Sequence, residues 1–174
     1  MRPFWERNEL NFVKAGNSGW TESSFVSFTM EDVELPALLP GLQYLSCYAE
    51  SEEEWRRIAR MISISPTLRG VEFRNKLPSA EVTKAVSGSF QKTPHVNEVS
   101  LVLVEDDVSA AQLFNSLSKL SLTAVKFWMC RSVYAEQVCA CVQTFKSLEY
   151  ICINSFEATF QQAFRRQLSA APFA

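Results

Sequence analysis

The chain has 174 residues, of which 47% are hydrophobic and 21% are charged; this composition is typical of one folded domain and excludes a wholly disordered chain. Its formal net charge of −2 gives no general attraction to nucleic-acid phosphates or anionic lipids, so we expect a protein partner rather than a nucleic acid. We also expect no membrane insertion, because no stretch approaches the roughly 20 apolar residues of a membrane-spanning helix and the amino terminus lacks the apolar run of a secretory signal.

The first 41 residues are the least regular part of the chain. Leu10–Ala15 loosely follows an apolar-x-x-apolar-x-apolar pattern, with a small alanine at the last apolar position. Phe25–Phe28 is expected to be extended, and Pro36 limits the segment around it to a short or kinked helix. We interpret residues 1–41 as an irregular N-terminal cap or a degenerate first repeat, and a separate partner-binding arm is the alternative.

From residue 42 onward the same six-residue pattern recurs at a nearly constant spacing. Its apolar positions are Leu42/Leu45/Cys47, Leu68/Val71/Phe73, Val96/Val99/Leu101, Leu122/Val125/Phe127 and Leu148/Ile151/Ile153. The first positions are separated by 26, 28, 26 and 26 residues, which predicts a stacked repeat. Each copy ends in a period-2 alternation, which places its last two apolar side chains on one face of a short strand.

Between these strands the apolar spacing becomes that of a helix. Ser51–Glu54 has the form of a capping box, and Trp55, Ile58, Ala59 and Ile62 follow at helical intervals. Further helices are expected to begin near Pro78–Ser79, Asp106–Asp107, Ser132 and Ser155. A helix after every strand gives repeated βα units, each of which needs its neighbours to bury its apolar face.

The last of these units is expected to act both as a repeat and as a cap. We expect Leu148, Ile151 and Ile153 to build the core beneath its strand. The helix that follows should cover the open side of this strand through its apolar residues. These residues are Phe156, Phe160, Phe164 and Leu168.

The strand and helix patterns resemble leucine-rich repeats of the ribonuclease-inhibitor-like class, in which a full helix follows every strand. The resemblance implies an α/β fold: a right-handed βα solenoid of about five units over residues 42–174, with a short parallel sheet on its concave face and helices outside. Such proteins commonly bind other proteins. The chain diverges from the family where asparagine or cysteine usually follows the strand. Those positions hold Glu50, Lys76, Val104, Cys130 and Phe156, of which only Cys130 agrees, while Asn75 and Asn154 lie nearby but out of register.

Residue types that carry catalysis or bind metals are sparse. His95, the only histidine, precedes a predicted strand, and no serine lies in a nucleophile-elbow motif. Cys139 and Cys141 are the one closely spaced cysteine pair, and we interpret all five cysteines as reduced core residues of an intracellular protein. Glu105–Asp107 fits the amino terminus of a helix better than a cation site. We therefore expect no enzymatic activity, no cofactor and no metal.

The side chains that alternate with the core positions are the better candidates for function, because an open parallel sheet presents them as an array. We call this array the sheet face. It consists of Tyr44, Ser46, Tyr48, Gly70, Glu72, Arg74, Glu98, Ser100, Val102, Ala124, Lys126, Trp128, Tyr150, Cys152 and Asn154, all expected to be exposed. Within it we predict six partner-binding residues: Tyr44, Tyr48, Arg74, Lys126, Trp128 and Tyr150. Aromatic side chains and arginine often anchor protein interfaces, although β-propensity or packing beneath the N-terminal segment would also place aromatic residues here.

We therefore expect a non-catalytic protein-interaction or scaffold module that binds through the sheet face. Five strands span only about 20 Å, which is small for a standard interface and favours a subunit of a larger assembly. One alternative is a substrate-recognition adaptor of a ubiquitin ligase, in which Leu35–Leu39 has the composition of an F-box fragment. The other is a space-filling structural subunit of a ribonucleoprotein or respiratory complex.

Overall fold

The fold is α/β and is built on a single parallel sheet. The computed structural model describes residues 3, 25–28, 42–102, 107–128, 131–155 and 157–170. Its strands are β1 (Phe25–Phe28), β2 (Tyr44–Cys47), β3 (Gly70–Phe73), β4 (Glu98–Val102), β5 (Ala124–Trp128) and β6 (Tyr150–Ile153). They lie in chain order, β1 to β6, and every neighbouring pair is parallel.

A helix follows each strand from β2 onward. The helices are α1 (Glu52–Ile64), α2 (Ala80–Lys92), α3 (Asp107–Leu117), α4 (Ala135–Gln143) and α5 (Ala158–Ala170), and a 3₁₀ turn at Ser132–Tyr134 leads into α4. Consecutive helices pack against one another along the chain. The predicted alternation of strands and helices on one parallel sheet is confirmed.

Serine caps fix the starts of the first two helices. The Ser51 side chain accepts a hydrogen bond from the Glu54 amide, and the Glu54 carboxylate accepts one from the Ser51 amide, so the capping box predicted from the sequence is formed. The Ser79 side chain accepts from the Val82 amide in the same way at the start of α2. These bonds satisfy amides that a helix otherwise leaves without an internal partner.

One backbone arrangement is repeated at the entry to the strands and fixes their register. The carbonyl of Gln43 accepts hydrogen bonds from the amides of both Arg69 and Gly70, at 2.7 and 3.0 Å. The carbonyls of Arg69, Asn97 and Thr123 each accept two amides from the next unit in the same manner. Because each unit is hydrogen-bonded to the preceding one through the same pair of backbone bonds, the apolar positions of successive strands lie opposite one another.

The hydrophobic core is one continuous cluster shared by the strands and the helices. The apolar positions of the first four copies of the pattern are fully or almost fully buried. Aromatic rings link sheet and helices: Phe73 of β3 lies 5.6 Å from Trp55 of α1 and 6.2 Å from Phe90 of α2, between ring centroids. These tilted and edge-to-face contacts add to the burial of large apolar surfaces.

The fifth copy of the pattern departs from the expectation. Ile151 was assigned to the core, but 40% of its surface is exposed, and Leu148 and Ile153 are only half-buried. The assignment of Ile151 to the core is therefore wrong, because β6 is the last strand of the sheet and no further unit of the described chain covers it. Of the residues expected to cap this side, Phe160 is buried and Phe164 half-buried, whereas Phe156 and the side chain of Leu168 lie outside the described part of the structure.

The first 41 residues contribute a strand to the sheet. Phe25–Phe28 was expected to be extended, and it forms β1, with Phe25 paired to Tyr44 and Phe28 to Cys47. The position beside β2 is thus occupied by β1. The weak copy of the pattern at Leu10–Ala15 lies outside the described residues.

Candidate protein-binding face

The strand register arranges the sheet face in three rows. Pairing of β2 to β6 places Tyr44, Gly70, Glu98, Ala124 and Tyr150 in an entry row. It places Ser46, Glu72, Ser100, Lys126 and Cys152 in a middle row. We define an outer row as the paired residues Val102 and Trp128, which end β4 and β5, together with Tyr48, Arg74 and Asn154, which directly follow β2, β3 and β6. The rows keep these names below.

Of the fifteen residues of the sheet face, five are buried, eight are half-buried and two, Tyr48 and Arg74, are exposed. The expectation of exposure is wrong for Ser46, Gly70, Glu98, Ser100 and Ala124, all of which are buried. Four of these five residues have a small side chain or none, and neighbours within a row lie about 4.8 Å apart. Glu98 is paired in register with Gly70 and Ala124, the two smallest residues of its row.

The middle row is polar and partly bonded within itself. The Ser46 hydroxyl donates to Glu72 Oε2 across 2.8 Å. Burial, and secondarily the charge of Glu72, raises the pKa of the Cys47 thiol on the opposite side of the sheet well above its ordinary value. Ser100 is fully buried between Glu72 and Lys126, and its hydroxyl has no hydrogen-bond partner in the structure. The middle row therefore combines two buried serines with the half-buried side chains of Glu72, Lys126 and Cys152.

The outer row contains the most accessible aromatic and cationic groups of the sheet face. Tyr48 is 45% exposed, and Arg74 on the neighbouring strand is also exposed. Trp128 is half-buried, and the Lys126 ammonium lies 4.0 Å from its ring centroid, which is a cation–π contact. This contact holds the indole in place while leaving part of its surface open to solvent.

The six predicted partner-binding residues do not form one cluster. Lys126 and Trp128 touch each other, and Tyr48 and Arg74 directly follow the adjacent strands β2 and β3 at the same end of the sheet. Tyr44 and Tyr150, both half-buried, lie on β2 and β6 and are thus separated by four strand spacings, roughly 19 Å. The structure thus brings together two pairs of residues, Lys126 with Trp128 and Tyr48 with Arg74. The two tyrosines of the entry row lie at opposite ends of that row.

Two features of the site region were missed by reasoning from the sequence. Glu72 was placed on the sheet face but not among the partner-binding residues, although it accepts a hydrogen bond from Ser46 within the middle row. Its position opposite Ser46 in the aligned patterns was the available signal. The second feature is an apolar groove beside β6, the last strand of the sheet in the described part of the chain.

Among the described residues, Cys139, Cys141 and His95 do not assemble into a reactive centre. Burial raises the pKa of Cys139, and it raises the pKa of Cys141 to about 12. His95 Nε2 lies 3.3 Å from the Ser65 carbonyl, at the strand-entry side of the molecule. Within the described ranges, no group of three or more histidine, cysteine or acidic residues is placed to hold a metal ion.

The helices and the comparison with known proteins give no further identification of this face. In the part of the chain that the structure describes, every helix is too short or too polar to cross a lipid bilayer. No protein-family model and no curated protein matches the chain. The sheet face must therefore be interpreted from its own geometry.

Proposed function

We propose that this protein is a non-catalytic interaction or scaffold module and a subunit of a larger assembly, which binds a protein partner through its sheet face. In this proposal the βα units form a right-handed solenoid that is a divergent relative of the ribonuclease-inhibitor-like leucine-rich repeats. The observation that carries the proposal is the outer row, in which exposed Tyr48 and Arg74 follow β2 and β3 at the same edge of the sheet at which Trp128 ends β5.

The chemistry of this row suits protein recognition. Tyrosine, tryptophan and arginine are the residues over-represented among those that dominate interface energies. Tyr48 presents a ring and a hydroxyl, Arg74 presents a planar guanidinium, and Trp128 is already oriented by Lys126. A ligand segment lying across the strands would meet these side chains in succession.

In this proposal the residues beside the outer row give it a rigid base. Gly70, Ala124 and Ser100 are small and buried. The half-buried Tyr44 and Tyr150 lie on β2 and β6. Such a base would keep the outer-row side chains at fixed spacings, which lowers the entropy lost on binding.

The test compares two triple variants of the full chain. Tyr48→Ala/Arg74→Ala/Trp128→Ala removes the outer row, and Arg57→Ala/Lys84→Ala/Gln112→Ala changes three exposed helix positions as a matched control. Proteins captured from native extract are quantified by mass spectrometry against the unmodified chain. The proposal requires that specific partners are lost with the outer-row variant and kept with the helix variant; capture unchanged by the outer-row variant would show that the face is not the binding surface.

A further inference from the structure

The burial of the strand side chains changes abruptly at β6. The middle apolar positions of the preceding four patterns, Leu45, Val71, Val99 and Val125, are completely buried. The equivalent residue of β6, Ile151, is 40% exposed. In the earlier units, the strand and helix that follow in the chain lie beside each of these side chains. Among the described residues, β6 is the last strand of the sheet and has no such following unit. Ile151 therefore lacks, among the described residues, the covering neighbour that each of the four preceding side chains has.

A groove lies against this incomplete interface. It has a volume of about 580 Å³ and is lined by Val142, Leu148, Ile151, Ile153, Phe160, Gln161, Phe164 and Arg165. Six of these eight side chains are apolar. The rings of Phe160 and Phe164 stack at 5.8 Å between centroids and form its wall on α5, and Gln161 is exposed at its rim. An apolar groove with one polar rim suits an occupant that is itself apolar on alternate positions.

The backbone of β6 adds directional bonding to this groove. Asn154 donates to the Phe127 carbonyl, so the peptide group of Phe127 faces the next strand. Ile153 pairs with Phe127 in register and therefore presents its own peptide group on the far edge of β6, as does Ile151 two residues earlier. An edge strand with exposed apolar side chains is the surface to which an additional strand can pair.

We propose that the β6–α5 groove docks an extended segment of a partner protein that runs parallel to β6 and carries apolar side chains on alternate positions. A strand docked beside β6 would add a seventh strand to the parallel sheet. It would cover Ile151 in the same way that β6 covers Val125. This surface is separate from the sheet face, since the apolar side chains of β6 lie on the opposite side of the sheet from the outer row.

The direct probe is a labelled synthetic peptide that copies residues 121–127, Ser-Leu-Thr-Ala-Val-Lys-Phe, a segment that already pairs with a neighbouring strand on each side. Its binding to the full chain is measured by fluorescence polarisation. A second peptide with aspartate in place of Val125 and Phe127 keeps the length and removes the apolar positions. We expect saturable binding of the first peptide and binding weaker by at least roughly tenfold for the second.

Variants of the protein locate the site. Ile151→Lys places a charge in the groove on an edge strand, and Ile64→Lys makes the same substitution at an apolar position of similar exposure, 49%, at the end of α1. Gln161→Trp fills the groove from an exposed helix position and leaves β6 untouched. Circular dichroism checks that each variant folds. Peptide affinity should fall at least roughly tenfold for Ile151→Lys and Gln161→Trp and stay unchanged for Ile64→Lys and for the outer-row triple variant.

Two outcomes overturn the proposal. Equal binding of the two peptides, or equal affinities for the Ile151→Lys and Ile64→Lys proteins, would show that the groove does not select an apolar strand. Sedimentation equilibrium reveals the competing occupant, a second copy of the chain. Self-association that Ile151→Lys abolishes, without any peptide binding, would make the groove a homodimer interface and not a docking site for a partner.

Discussion

The side-chain amide of Asn75 forms two hydrogen bonds with the backbone of Ala49, a residue of the preceding unit. Its Nδ2 donates to the Ala49 carbonyl at 2.5 Å, and its Oδ1 accepts from the Ala49 amide at 3.4 Å. Ala49 is buried, so these two polar groups are shielded from water. Asn75 thereby satisfies backbone groups in the turn after β2.

Asn75→Ala should therefore destabilise the protein. The substitution leaves a buried amide and a buried carbonyl without a partner, at a cost of about 1–3 kcal/mol. Asn115→Ala is the matched control, because Asn115 is exposed on α3 and its replacement should change stability by less than about 0.5 kcal/mol. Urea unfolding followed by circular dichroism measures both. Equal midpoints for the two variants would contradict a structural role for Asn75.

Truncation of Phe73 should have a larger effect, because its ring joins two helices to the sheet. The side chain is 1% exposed and contacts Trp55 and Phe90. Phe73→Ala should cost about 3–5 kcal/mol, a large part of the stability of an ordinary domain. Ile64→Ala, at an exposed apolar position, should cost far less. A Phe73→Ala midpoint close to that of Ile64→Ala in the same denaturant series would argue against this core.

The parts of the fold that the sequence predicts are those set by local pattern. The spacing of Leu42, Leu68, Val96, Leu122 and Leu148 fixes the order and direction of five strands, and Ser51 and Ser79 mark where two helices begin. Exposure is not a local property. Ile151 follows the same pattern as Val125, yet it lacks the neighbour that buries Val125, and Ser100 alternates outward yet is covered by the strands on either side.

The same limit applies to the candidate site. Its members can be read from the alternation, but the contact of Lys126 with Trp128 and the bond of Ser46 to Glu72 depend on side-chain orientations that the pattern does not specify. Asn75 shows the converse case. The sequence placed Asn75 out of register with the leucine-rich-repeat pattern and assigned it no partner, whereas the bend of the backbone after β3 brings its amide to Ala49.

The capping box of α1 should make stability depend on pH in the acidic range. Hydrogen bonds from the Ser51 and Glu50 amides hold the pKa of Glu54 below its ordinary value of 4.5. The folded state thus favours the carboxylate, so its stabilisation is complete above the ordinary pKa and is lost as the pH falls through the folded-state pKa. Glu54→Gln should lower the free energy of unfolding at neutral pH, and the difference from the unmodified protein should shrink below about pH 4.5.

Ser51→Ala provides the control for this titration. The hydroxyl that it removes does not ionise, so most of its cost of about 0.5–2 kcal/mol should persist at low pH. Unfolding in urea at a series of pH values measures both variants. A Glu54→Gln difference that stays constant from neutral to acidic pH would show that the carboxylate charge contributes nothing to the cap.

The cysteines should differ strongly in their reactivity towards alkylating agents. Attack requires the thiolate, and with a pKa of about 12 only about one in 10,000 Cys141 side chains is ionised at pH 8. Cys141 is also buried with its thiol directed at the Phe114 carbonyl, and Cys47 is fully buried. Cys152, by contrast, is half-buried in the middle row of the sheet face. Iodoacetamide should therefore modify Cys152 at least roughly tenfold faster than Cys47 or Cys141 in the native protein, as followed by peptide mass spectrometry.

The denatured protein is the internal control, because unfolding removes the burial and should bring the three rates close together. Rates that already agree in the native state would mean that Cys47 and Cys141 are not enclosed between the sheet and the helices. The same alkylation experiment can be repeated with a partner bound to the sheet face. The partner should slow the modification of Cys152 and leave the rates of Cys47 and Cys141 unchanged, because of these three cysteines only Cys152 shares the face with Tyr48, Arg74 and Trp128.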